Sequence, residues 1–275
     1  MSKIRVLYVS QEISPFLPES IISRISRQLP QGMHDRGLEI RVFMPRYGKI
    51  NERRHQLHEV IRLSGMNMII NDSDHPLIIK VASIPTARMQ VYFIDNEEYF
   101  HRKAVLHDES GNFFEDNDER SIFFVKGVLE TVKKLGWAPD IIHSHGWMTA
   151  LMPMYLKKVY NEDPHFSDAK VVYSDYEQEF DRLDPDLIKK IGFDGVDPED
   201  LELIQEPTLN NLNKLAIQYS DAVIHGHENV APEITSFIDD TGTLSVKNKG
   251  GDIFINDVAA LYEEVLEGKS ILVEE

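Results

Sequence analysis

The opening of the chain constrains its fold more than any other feature. Residues 4–9, Ile-Arg-Val-Leu-Tyr-Val, form a short, largely apolar run rich in strand formers and bounded by polar residues. Such a run reads as a buried parallel strand. Pro15 and Pro18 then break the chain, and Ile21, Ile22, Ile25 and Leu29 follow at helical spacing, with Arg24, Arg27 and Gln28 on the other side. Gly37 supplies a helix stop, and residues 39–45 read as a second strand ended by Pro45. A strand, a loop with a helix, and a second strand predict an α/β fold: a parallel sheet with helices on its faces.

The remainder extends this pattern. Residues 59–63, 77–84 and 89–94 read as strands, and their close spacing predicts an antiparallel or mixed section. From Ser121 the period changes to that of a helix, through Phe124, Val128, Leu129, Val132 and Leu135 to a stop at Gly136. Residues 141–145 form a short strand, 149–160 a helix, and 170–174 another strand. The acidic stretch 177–206 holds Asp184-Pro185, Asp194-Gly195 and Asp197-Pro198, and reads as an excursion of short helices. Residues 209–219 are amphipathic, 222–225 form the last strand, and 241–251 read as a polar linker. A terminal helix is expected from a cap at Asp257 through Val258, Leu261, Tyr262, Val265 and Leu266. The domain expectation is one α/β unit over 1–236, then a linker and helix over 237–275 that pack back on it.

Composition narrows the function. Asp and Glu number 46 against 29 Lys and Arg, a formal charge of −17. That balance repels phosphate backbones and argues against nucleic-acid binding. The absence of cysteine removes disulfides and thiolate chemistry and suits a reducing compartment. No run approaches the roughly 20 apolar residues of a membrane span, and the N-terminal run is too short for a signal-peptide core. The expectation is a cytoplasmic protein with no membrane partner.

Ligands of open α/β sheets bind at the carboxyl ends of strands, here after Val9, His145 and Ser174. The first loop, residues 10–20, would be the natural anion site ahead of a helix. It lacks glycine, carries two prolines, and places Glu12 and Glu19 where a phosphate would sit, so neither a dinucleotide fingerprint nor a phosphate loop is expected. His143-Ser144-His145 and His225-Gly226-His227 each put two imidazoles on one side of a strand. Four imidazoles would suit zinc if they converged; the preferred reading is strand-end histidines, hydrogen-bonded or solvated, with neither metal nor cofactor. Trp147, Tyr99, Phe100 and Trp137 are either sugar-stacking faces or core. Residues 116–120, Asp-Asn-Asp-Glu-Arg, supply polar contacts or simply cap the next helix. No Ser-His-Asp arrangement can be placed from spacing.

In order, Glu12-Ile13-Ser14-Pro15-Phe16, Leu29-Pro30, Met44-Pro45-Arg46-Tyr47, Tyr99-Phe100-His101-Arg102 and Asp116-Asn117-Asp118-Glu119-Arg120 form the first half of a distributed pattern. Residues 139–147, Asn211-Leu212-Asn213-Lys214, Ser220-Asp221-Ala222-Val223 and Ala231-Pro232-Glu233-Ile234 complete it. This ordered set, spread over residues 3–236, resembles the N-terminal half of bacterial glycogen and starch synthases, in a short single-domain form. The resemblance implies a Rossmann-like three-layer sandwich with a mostly parallel sheet, equivalent to the N-terminal domain of a GT-B glycosyltransferase. It also implies transfer of glucose from a nucleotide sugar to an α-1,4-glucan, in a cleft whose donor side lies on a second domain that residues 237–275 are too short to form.

The departures from the family fall where chemistry is expected. Its Lys-Thr-Gly-Gly-Leu-type loop corresponds to Pro18, Glu19, Ser20, Ile21 and Ile22; its His-Asp-Trp to His145-Gly146-Trp147; its Thr-x-His-Asn to Tyr173-Ser174-Asp175-Tyr176. Donor phosphates need positive charge or backbone donors nearby, which Glu19 and Asp175 oppose. Two readings follow: a degenerate glucosyltransferase, incompetent without a partner that supplies the donor domain, and a non-catalytic glucan- or partner-binding regulator of glycogen metabolism. Under either, Glu12, Tyr99, His143, His145 and Trp147 are the residues expected to contact or stack on sugar. The partners expected are an α-glucan and a donor-domain protein or a second copy of the chain.

Overall fold

The computed structural model describes residues 3–266. The chain begins β1 (Arg5–Ser10), α1 (Ile21–Asp35) and β2 (Glu39–Pro45), the predicted opening. A short α2 (Glu52–His55) leads to β3 (His58–Glu59), β4 (Met66–Ile70), β5 (Ser73–Ile84), β6 (Met89–Asp95) and α3 (Glu97–Phe100). The long α4 (Asn117–Leu135) precedes β7 (Ile141–His145), α5 (Met152–Lys158) and β8 (Lys170–Asp175). Then come α6 (Leu187–Gly192), α7 (Leu209–Gln218), β9 (Ala222–His225), α8 (Pro232–Thr241), β10 (Leu244–Lys247) and α9 (Gly251–Val265).

Among the described residues the strands run in the order β10-β9-β8-β7-β1-β2-β6-β5-β3, with β4 paired to β5. From β10 to β6 every pairing is parallel; β5 pairs antiparallel with β6, β3 and β4. The result is a mostly parallel α/β sheet whose antiparallel section covers the segment where crossover helices are missing from the sequence. After β1 the chain first builds outward through β2 and later returns to the other side of β1 with β7. The β1–β7 junction is therefore the topological switch point, where the crevice of such a sheet opens. Register places Ser10 beside His145, His145 beside Ser174, and Asp175 beside His225 along this edge.

Several expectations are corrected. Of residues 59–63 only Glu59 is in a strand, as the second residue of β3, and the hairpin partner of β5 is β4, whose Met68 and Ile70 turn inward while Asn67 and Ile69 face out. The helix read over 149–160 is broken: a 3-10 turn over Trp147–Thr149 precedes α5, which starts with Pro153 in its first turn, where a missing N–H costs nothing. Residues 241–251 are not simply a linker, since β10 there extends the sheet along β9. The boundary at 236 falls inside α8, which starts at Pro232. Asp257 lies inside α9 rather than at its cap; the helix begins after Gly250, and Phe254, Val258, Leu261 and Tyr262 are buried along it. The tail of the region assigned to linker and helix, residues 267–275, lies outside the described residues. Stretch 177–206 folds as α6 and a 3-10 segment over Pro198–Ile204, with Leu187, Ile191, Leu201 and Ile204 in the core.

Candidate functional site

Parallel strands end together, so their last side chains share one edge. At the switch point that edge carries His143 and His145, both without solvent exposure, with rings stacked at a centroid distance of 4.0 Å. The i, i+2 spacing predicted this shared side. His143 is held at both nitrogens: Nδ1 lies 2.6 Å from the Tyr262 hydroxyl of α9, and Nε2 lies 2.7 Å from Ser174 Oγ. Tyr262 in turn donates to the Tyr8 hydroxyl at 3.1 Å. His145 Nδ1 lies 2.8 Å from the Tyr176 hydroxyl, while its buried Nε2 has no hydrogen-bond partner among the described residues. Burial strips water from both rings and disfavours their charged form. It holds His143 well below the ordinary imidazole value, with the His145 neighbour adding to the effect, and it lowers His145 to about 3. Both are neutral at physiological pH.

One strand over, Asp175 Oδ1 lies 2.8 Å from His225 Nδ1, and Oδ2 lies 3.5 Å from His227 Nε2. Burial pushes this carboxyl up, but hydrogen bonds from the two imidazoles outweigh it and hold Asp175 below the ordinary carboxylate range. The two His-x-His pairs, one on β7 and one at the end of β9, thus go to different partners. Among the described residues no set of three or more His, Asp or Glu side chains is arranged to hold a metal ion. Tyr176 reaches His145 because residue 226 is glycine: a Cβ there would stand 2.2 Å from the Tyr176 ring. Gly146 has φ +83°, and a Cβ on it would come within 3.0 Å of Gln11 Oε1. A left-handed backbone facing the Gln11 amide accounts for glycine at that position.

The loop after β1 closes on itself. Ser20 caps α1: its hydroxyl accepts from Ser23 N at 3.0 Å, and Ser23 Oγ accepts from Ser20 N at 2.8 Å, a reciprocal capping box. Ser20 Oγ also donates to Glu12 Oε2 at 2.8 Å, and Gln11 Nε2 donates to Glu12 Oε1 at 3.3 Å. The start of α1, the natural seat for an anion, thus receives the protein's own carboxylate.

Trp147 is buried rather than displayed, packed against Phe180 at 4.9 Å and Phe113 at 5.7 Å. Tyr99 is also buried, and sits on α3 beyond the end of β6. Its hydroxyl lies 3.0 Å from His75 Nε2 and donates to Glu119 Oε2 at 3.0 Å. Of the five predicted residues, His143 and His145 share the switch-point cluster, Glu12 stands at the adjoining loop, Trp147 follows β7, and Tyr99 belongs to a separate network. Trp137 lies farther away, donating to Glu39 Oε1 at 2.6 Å. Within 116–120, Asp116 holds the cap position of α4 but pairs with Arg102 instead of capping. The buried Arg120 donates to the Tyr99 carbonyl at 2.9 Å and to Asn117 Oδ1 at 2.5 Å.

Sequence reading missed Gln11, Tyr176 and Tyr262 as members of the cluster, and missed the pairing of Asp175 with His225. Spacing carries no trace of contacts between residues 31 to 137 positions apart. Only the parallel register brings those strand ends together.

The family described as starch synthase catalytic domain matches residues 5–245. A glycogen synthase of Chlorobium limicola is 44% identical over 169 residues, covering 61% of this chain and 35% of that protein. A glycogen synthase of Chlorobaculum parvum is 34% identical over 243 residues, covering 84% of this chain and 47% of that protein. The chain thus spans about a third to a half of the length of these curated relatives. In three dimensions the catalytic domain of starch synthase IV from Arabidopsis thaliana, bound to ADP and acarbose, superposes with a TM-score of 0.73 at 17% identity, over 91% of this chain and 52% of that one. That likeness speaks to the fold, the GT-B type expected from the motifs. With its fold and all but a small part of its length matched, the chain belongs to the starch synthase catalytic domain family.

Proposed function

We propose that this domain keeps a glucan-facing surface of the glycogen and starch synthases and does not, by itself, transfer glucose from a nucleotide donor. Its role is then that of a cytoplasmic glucan- or partner-binding regulator of glycogen metabolism. One observation carries this reading: a carboxylate of the protein itself stands at the start of α1. Ser20 caps the helix and the Glu12 carboxylate is hydrogen-bonded to Ser20, at the loop that would approach donor phosphates. Pro18 offers no N–H, and residues 18–22 hold no lysine or glycine to receive a second anion. A phosphate brought there meets a carboxylate, the reverse of what phosphoryl chemistry requires. The relatives' names, glycogen synthase, support the glucan as ligand class.

A second reading is favoured by the family match itself: glucosyl transfer with a partner, or a second copy, that completes the donor side. Both are tested together by glucosyl transfer from ADP-glucose or UDP-glucose onto glycogen, run beside glycogen co-sedimentation. The expected result is co-sedimentation without turnover. Turnover by the purified chain overturns the non-catalytic reading. Binding to neither glycogen nor donor shifts the role to a protein partner.

A further inference from the structure

An open pocket of about 500 Å³ lies between the segment after β8 and the start of α7. It is lined by Gln178, Glu179, Phe180 and Asp181 from the first and by Thr208, Leu209 and Asn210 from the second. Its size falls in the range of small-molecule sites, roughly 300–1,000 Å³.

Phe180 keeps partial exposure and is braced from behind. Its ring stacks on Phe113 at 5.0 Å with planes 5° apart, and packs on Trp147 at 4.9 Å. A ring clamped by two others is a rigid platform that loses little freedom when something lies on it. Around it stand hydrogen-bonding groups with unused capacity. Gln178 Oε1 is buried without a partner among the described residues. The N–H groups of Leu209 and Asn210 lie in the first turn of α7, where no intrahelical acceptor exists. The rim carries the exposed carboxylates of Glu179 and Asp181.

We infer that this cavity is an accessory subsite for a neutral α-glucan segment, with Phe180 as its stacking platform. The chemistry selects the class. An aromatic face suits the C–H face of a pyranose ring, and amide, backbone N–H and carboxylate groups suit its hydroxyls. Two rim carboxylates repel phosphate, so a nucleotide, which would also stack on Phe180, is disfavoured. The inference rests on the glucan-binding reading above and adds a location to it.

The test is calorimetric titration of the full chain with maltoheptaose, for the wild type, Phe180→Ala and Phe180→Leu. Leucine fills the space against Phe113 and Trp147 but removes the aromatic face, so unchanged thermal unfolding in that variant separates stacking from packing. Both variants are expected to weaken binding by about tenfold. Wild-type binding that Phe180→Leu leaves unchanged overturns the subsite and leaves the glucan-binding reading standing. No wild-type binding overturns both. Displacement of maltoheptaose by ADP at this site overturns the neutral-ligand assignment.

Discussion

His145 shows how burial turns a familiar side chain into a different chemical object. An exposed imidazole takes a proton near pH 6.5; this one, fully buried beside Tyr176 and His143, does so only at about 3. Between those values the unfolded chain binds a proton that the folded chain refuses, so stability falls as pH drops through the window. The slope is about 1.4 kcal/mol per pH unit for each such ring. From pH 7 to pH 5 His145 alone is expected to cost about 2 kcal/mol. His145→Asn removes that contribution and leaves a correspondingly shallower decline, read from urea midpoints at pH 7, 6 and 5. Identical declines would mean that the ring is not held neutral in the folded protein. His143 works in the same direction, its proton being excluded by burial while Tyr262 and Ser174 hold its two nitrogens.

Among the elements, α6 best shows how an acidic segment is folded. Residues 177–206 carry few strand signals, yet α6 is pinned to α4 by one cation. Lys190 Nζ lies 2.6 Å from Asp118, 3.0 Å from Glu119 and 3.0 Å from Asp184. Burial pulls the ammonium pKa down, and the three carboxylates more than reverse this, holding it above the ordinary lysine range. Lys190→Met removes the positive member of a buried cluster and leaves like charges facing each other, at a cost of about 3–5 kcal/mol. Amide hydrogen exchange in α6 and the loops beside it should accelerate more than in β1 or β7. Uniform protection across all of them would show that apolar packing by Leu187 and Ile191 suffices to dock the segment.

For the whole molecule the relevant quantity is charge. At −17 the folded chain repels itself, and compaction raises that repulsion. Raising the salt from about 0.01 M to about 0.15 M shortens the screening length from roughly 30 to 8 Å. The thermal midpoint is therefore expected to rise over that interval. A midpoint that falls would mean that ion pairs such as Lys80–Asp95 and Lys158–Asp200 outweigh the net repulsion. The same charge stands at two particular places: Glu12 at the start of α1, and Glu179 and Asp181 at the rim of the pocket beside Phe180. Acidity that first argued only against nucleic acid thereby argues against phosphate at these particular places.

Local interactions were legible without the structure, because they depend on neighbours in the chain. The period of Ile22, Ile25 and Leu29 set α1, the β-branched runs set β1, β2 and β7, and the missing glycines after β1 disclosed a loop unsuited to phosphate. Spacing also placed His143 and His145 on one side of a strand. What the sequence could not carry was which partners those side chains would meet. Tyr262 lies 119 residues from His143, and Tyr176 reaches His145 only through space left by Gly226. Likewise β10 is a strand because β9 offers an edge to pair with, not because its four largely exposed residues demand it. Such contacts are decided when helices and strands pack, since hydrogen bonds between distant residues form only where the sheet order and register bring their atoms within reach.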